Sequence, residues 1–279
     1  MSAALAQVLL SASRKHYTAC GTGTMVWHCW GDGRPLVLLH GGSGSWTHWV
    51  RNIAALTATG RQVWVPDLPG FGDSALPTGC GDADTVAECL NTGLREVLGM
   101  GPHEIVAFSF GSLAAVLLAT QHPVLVARLL LVGLPVLPLA HGRGAVFKPW
   151  RKAATAQARV AAHRANLANL MLHDPSRIDD DTLALHAANA ARDRMPDRRL
   201  ATSAACANAV RHLGCTFHCI YGAQDVLYRD LWPQVREACE VNPHCAGFAF
   251  IPDAGHWVQY EQAEAFNRMS RTWSAATNA

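Results

Sequence analysis

Three side chains in this 279-residue sequence could together break an acyl bond: Ser109, Asp225 and His256. Ser109 stands in Ala107-Phe108-Ser109-Phe110-Gly111, after one apolar run and before a compact apolar stretch that spacing predicts to be a helix. A serine on a sharp strand-to-helix turn has its hydroxyl pushed out of the sheet, and the crowded turn needs small residues two places to either side. Gly111 meets that requirement, and Ala107 stands where glycine is usual. A hydroxyl is a weak nucleophile until a base accepts its proton. Of fourteen histidines, His256 is singled out by its place, because Asp253-Ala254-Gly255-His256 follows the last apolar run. Functional groups gather at that C-terminal edge of a parallel sheet; His103 and His122 fall at the opposite ends of their elements. The base needs an acceptor to fix its tautomer. Asp225, in Gly222-Ala223-Gln224-Asp225, occupies the matching loop after the preceding run; Asp230 lies farther into the connection, and Gly133-Leu134-Pro135 after an earlier run offers no acid. Acyl transfer also needs two donors for the oxyanion. The Phe110 amide is one expected source. The loop His40-Gly41-Gly42-Ser43-Gly44-Ser45 is the other, with Gly42 preferred over Ser43.

These residues need a scaffold that brings several loops to one edge. Apolar runs at 25–30, 35–39, 61–66, 104–108, 126–132, 216–221 and 247–251 predict strands, with Gly31-Asp32-Gly33 marking a hairpin between the first two. Helical spacing over 84–100, 111–121, 232–239 and 261–273 places helices between them. Strands that are apolar throughout and alternate with helices imply an α/β fold with a mainly parallel sheet covered on both faces. The alternation stops from 138 to 211, where the chain is rich in Ala, Arg, Asn and Leu and has no strand pattern. The expected organisation is therefore one body, 1–137 and 212–279, interrupted by a helical insertion.

Composition narrows the functional classes. Half the residues are apolar and net charge is +2, with no long basic run, so nucleic-acid binding is not expected. Eleven Lys/Arg against six Asp/Glu between His141 and Arg199 give the insertion a local positive excess. Nine cysteines include no Cys-x-x-Cys pair, so neither a metal site nor any cofactor is expected, and the scattered thiols suit a reducing cytoplasm. No stretch is long and apolar enough to span a bilayer. The expected partner is a small-molecule substrate, and a homo-oligomer stays open.

Taken in order, His40-Gly41-Gly42, Asp67-Leu68-Pro69-Gly70-Phe71-Gly72-Asp73-Ser74, Ala107-Phe108-Ser109-Phe110-Gly111, Gly222-Ala223-Gln224-Asp225 and Gly255-His256-Trp257 resemble the α/β-hydrolase superfamily over roughly residues 25–275. The resemblance implies a Ser-Asp-His triad, an esterase-like serine hydrolase, and a cap over the site formed by the insertion. A serine rather than an aspartate at 109 argues against dehalogenase and epoxide hydrolase chemistry. The segment Gly255-His256-Trp257-Val258-Gln259-Tyr260-Glu261 is also similar to the one around the base in meta-cleavage carbon–carbon hydrolases. By that similarity Arg194, in Arg194-Met195-Pro196, would meet a substrate carboxylate. Phe108 and His48 stand where those enzymes carry asparagines. Trp46, Trp49, Phe108, Phe110 and Trp257 are candidates to line an apolar pocket. Scaffolds of this kind that serve only as binding proteins usually lack a triad member, and here all three positions are filled.

Overall fold

The computed structural model describes residues 2–79, 81–138 and 147–275. The apolar runs form one eight-stranded sheet of β1 (Arg14–Cys20), β2 (Gly23–Trp30), β3 (Arg34–Leu39), β4 (Arg61–Pro66), β5 (His103–Phe108), β6 (Val126–Val132), β7 (Thr216–Gly222) and β8 (Cys245–Ile251). Their order is β1-β2-β4-β3-β5-β6-β7-β8; β3 to β8 are mutually parallel and β2 runs against its neighbours. The expected hairpin through Gly31-Asp32-Gly33 does not form, because β4 inserts between β2 and β3 and pairs with both. The hairpin lies one strand earlier, between β1 and β2. β1 carries no apolar alternation to announce it: as an edge strand it buries only Thr18 and Cys20.

Ten α-helices surround the sheet among the described residues: α1 (Ser2–Ala12), α2 (Ile53–Thr57), α3 (Ala83–Leu98), α4 (Phe110–Gln121), α5 (Ala156–Asn166), α6 (Asp180–Ala191), α7 (Ala205–Arg211), α8 (Trp232–Glu240), α9 (Val258–Glu261) and α10 (Ala263–Ala275). Their ends follow local chemistry. Asp82 and Thr85 form a reciprocal capping box on α3, and Asp179 caps α6 with Asp180 and Asp181 in its first turn, where the helix dipole favours acids. On one face of the sheet Leu90 and Leu94 of α3, Leu113 and Leu118 of α4, Val210 of α7 and Val235 of α8 close over Ile105, Leu129 and Phe217. On the other, Ile53 of α2 with Phe266 and Trp273 of α10 closes over Leu38, Val106 and Leu130.

The N-terminal ends of four adjacent strands share one ion cluster. Buried Glu104 of β5 receives Arg34 of β3 at 3.0 Å, Arg128 of β6 at 2.8 Å, and Arg61 of β4. Arg61 also donates to the carbonyls of Arg34 and Pro35, and Arg128 to that of Trp273 at 2.6 Å.

The residues between β6 and β7 are helical, with α5 running into a wide π-turn at Leu167–Met171 and then α6. α6 packs against α5 and also against α1. α7, however, lies on α4 and α8 within the helical layer of the body. The last helix of the expected insertion, 138–211, thus packs on helices that flank the sheet. Its opening stretch, 139–146, lies outside the described residues. No helix among the described residues is long and apolar enough to cross a membrane.

Candidate active site

Ser109 sits at the junction of β5 and α4 with φ 51° and ψ −114°. A side-chain-bearing residue rarely adopts this conformation, and holding it costs of order 1–3 kcal/mol. Its surroundings fix it there. The Ser109 amide donates to the Val132 carbonyl at 2.8 Å, and the Ser112 hydroxyl donates to the Ala107 carbonyl at 2.6 Å. At Gly111 a Cβ would stand 2.4 Å from the His40 carbonyl oxygen, so glycine is required. Ala107 is buried between its partners Leu39 on β3 and Leu131 on β6.

The structure brings Ser109, His256 and Asp225 into one hydrogen-bond chain. Ser109 Oγ donates to His256 Nε2 at 2.8 Å, and His256 Nδ1 donates to Asp225 Oδ2 at 2.7 Å. The second Asp225 oxygen accepts from the Leu227 amide at 3.0 Å. Asp225 and His256 are both buried, whereas the side chain of Asp230 is 89% exposed. His103 Nε2 is hydrogen-bonded to the Gly99 carbonyl and His122 to Glu88, both away from Ser109. The acid-free loop after β6 has its own use: Gly133, at φ 56°, lies so near the His256 ring that a Cβ would stand 3.0 Å from Cε1.

The loop carrying His256 is tied on both sides. The buried Glu261 carboxylate accepts from the amides of Gly255 at 2.7 Å, Asp174 at 2.8 Å and His173 at 3.0 Å. The Trp257 amide donates to the Met171 carbonyl, at the end of the π-turn. Glu261 closes the segment 255–261 that resembles the one around the base in meta-cleavage hydrolases, a resemblance that assigns it no role. Its signal is an acid placed five residues after the histidine, at the end of a short helix that is buried throughout.

The glycine-rich loop after β3 faces Ser109 from the other side. His40 Nδ1 donates to the Gly41 carbonyl at 2.7 Å and Nε2 accepts from the Leu68 amide at 2.8 Å, while burial pushes its pKa down to about 4. Buried His48, also held well below the usual histidine range by desolvation, accepts the Gly41 amide on Nδ1 at 3.2 Å. Ser43 takes φ 51°. Among the described residues, neither the Gly42 nor the Phe110 amide has a hydrogen-bond acceptor.

The expected substrate-binding residues divide. Phe108 reaches the site, its ring 5.0 Å from that of His256 and 5.6 Å from that of His48. Phe110 follows the serine and packs on Phe71. Trp257 is fully buried, stacked on Tyr260 at 3.9 Å and set behind His48, to whose carbonyl its indole donates. Trp46 turns away to pack on His28 and Trp30, and Trp49 packs on Phe266 in the core. Arg194 is not brought to Ser109, because its exposed guanidinium donates to the Phe71, Gly72 and Ser74 carbonyls. The arginine that faces the glycine-rich loop is Arg198. Its guanidinium lies over the Phe71 and Phe110 rings and pairs with Asp193 at 2.8 Å, and its Nη2 is 3.1 Å from where a Gly42 Cβ would stand. Among the described residues no group of three or more His, Cys, Asp or Glu side chains could hold a metal ion.

The chain is similar in sequence and in fold to known hydrolases. The 2-hydroxy-6-oxo-6-phenylhexa-2,4-dienoate hydrolase of Burkholderia cepacia is 25% identical over 259 residues, covering 86% of this chain and 87% of its own. A carboxylesterase from Bacillus subtilis superposes with a TM-score of 0.78 at 17% identity, covering 97% of each chain. The meta-cleavage product hydrolase from Pseudomonas fluorescens IP01 superposes with a TM-score of 0.76 at 21% identity, over 94% of this chain and 98% of that one. The model of the alpha/beta hydrolase family matches residues 36–269, and the chain is accordingly a hydrolase belonging to that family.

Proposed function

We propose that the protein is a serine hydrolase that cleaves a small carboxylic ester through an acyl-enzyme. The observation that carries this reading is the unbroken path Ser109 Oγ to His256 to Asp225 Oδ2, with links of 2.8 and 2.7 Å. Ser109 attacks the carbonyl carbon and its proton passes to His256 Nε2. Asp225 holds the ring with Nδ1 protonated and stabilises the imidazolium that forms. His256 then returns the proton to the departing alkoxide, and water, activated by the same base, releases the acid. The oxyanion is met by the amides of Phe110, at the start of α4, and Gly42. Gly41 cannot serve as a donor while its amide is bound to His48. The helices of the insertion act as a cap, and Phe108 and Arg198 border the acyl group.

A second reading, carbon–carbon hydrolysis of a 2-hydroxy-6-oxo-dienoate, is supported by the named relative from Burkholderia cepacia. Phe108 and His48 at the positions where a polar amide is expected favour the ester, as does pairing of Arg198 with Asp193. Ser109→Ala is expected to abolish turnover of a short-chain p-nitrophenyl ester and labelling by a fluorophosphonate. Retained labelling would move the nucleophile elsewhere. A parallel screen of simple esters and ring-fission dienoates separates the two substrates, and turnover of dienoates alone would reverse the preference.

A further inference from the structure

The glycine-rich loop is held from two directions, and one of them is the insertion. On the body side the Gly41 amide is fixed by His48, and the Trp46 amide donates to Asp67 Oδ1 at 2.8 Å. On the other side Ser43 Oγ donates to Asp193 Oδ2 at 2.6 Å, and Ser45 Oγ donates to Asn189 Oδ1 at 2.8 Å. Asn189 Nδ2 in turn donates to Thr47 Oγ1 at 2.9 Å. Asn189 lies near the C-terminal end of α6 and Asp193 just beyond it, and both are buried. Asp193 is itself braced by Arg198, at 2.8 and 3.1 Å, and by the Met195 amide at 2.9 Å.

Gly42 lies between these anchors. Its N–H lies in the Gly41–Gly42 peptide, so its direction depends on the backbone held between Gly41, tied to the body, and Ser43, tied to the insertion. Ser43 also holds a left-handed φ of 51°, which a serine does not keep without compensating contacts. Its hydrogen bond to an ionised carboxylate is of the strong, charge-assisted kind. Removing the insertion-side contacts would free Ser43 to relax and turn the Gly42 amide.

We propose that Asn189 and Asp193 are positioning residues for the oxyanion hole, so that its Gly42 donor is in place only while the end of α6 is seated on the loop. This rests on the catalytic reading given above. It makes the insertion part of the catalytic machinery as well as a cover: closure over a substrate and completion of the hole become one event, as in induced-fit enzymes.

The test uses the full chain with Asn189→Ala and Ser43→Ala; the second removes the Asp193 tie without stripping Arg198 of its partner. Each is expected to lower kcat for a short-chain ester by about tenfold, less than the 10²–10³ for losing a donor outright, with KM changed less than about twofold. Amide hydrogen exchange over 40–47 should quicken in both, with the melting temperature within a few degrees of the parent. A raised KM at unchanged kcat would make these residues substrate contacts, and unchanged exchange over 40–47 would show that they do not hold the loop; either outcome overturns the proposal. Exchange is read without turnover, so if Ser109→Ala remained active the catalytic reading would fail separately.

Discussion

Asp225 and Asp230 are five positions apart in the same connection, yet one carboxylate is sealed from water against a histidine and the other stands in solvent beside Arg229. A buried carboxylate bonded to Nδ1 selects the tautomer that leaves Nε2 free to take a proton, and an amide in its place selects the wrong one. Asp225→Asn should therefore lower kcat by about 10⁴-fold while the protein stays folded, and Asp230→Asn should leave it within about twofold. Steady-state kinetics on one ester decide the matter; comparable small losses from both would remove Asp225 from its role. The three residues of this chain were legible because each follows a recognisable apolar strand. Arg198 was not, since residues 192–199 have no regular period from which to infer facing, and a local turn decides which of the two guanidiniums meets the glycine-rich loop.

Elements act here mostly by pinning one another. Arg194 illustrates this: its guanidinium reaches three carbonyls of the loop 71–74, and its amide donates to the Gly70 carbonyl, joining the segment after α6 to the turn that follows β4. Arg194→Ala should lower the melting temperature by a few degrees, consistent with ~1 kcal/mol for exposed charge-assisted bonds in a chain of this size. It should raise KM for neutral and carboxylate-bearing esters alike, if at all. A selective rise for the carboxylate esters would return Arg194 to the substrate. The central strands could be read from continuous apolar runs, because burial on both faces leaves no alternative composition. β1 could not, because an edge strand with one wet face and few buried residues has no such signature, and the packing of α7 on α4 could not, because α5 and α6 lie between them in the sequence.

The molecule as a whole should be sensitive to acid. Burial pushes His28, His40 and His186 down to about 4 from an ordinary value of 6.5. Between those limits the unfolded chain binds protons that the folded chain refuses, so stability falls as pH drops from 6.5 towards 4. Asp67, raised from 3.8 to about 6 by burial, opposes this by taking a proton in the folded state, but one acid works against three histidines. Melting temperatures between pH 7 and 4.5 should fall steeply. His28→Phe should flatten the fall, recovering about 1–3 kcal/mol at pH 4, since both ring nitrogens of His28 are buried without a hydrogen-bond partner among the described residues and a phenyl ring can keep the stack on Trp30. An unchanged pH profile would assign the acid sensitivity to other groups.

The cluster of Glu104 with Arg34, Arg61 and Arg128 lies at the end of the sheet opposite to Ser109. Four strands are thereby clamped at their beginnings, at the end of the sheet away from Ser109. A sheet indexed from that end leaves the loops at the other end at liberty to change in length and content, and reagents can be exchanged there without re-threading the scaffold beneath. The division of labour runs along each strand: permanence at its first residues, and room for variation after its last.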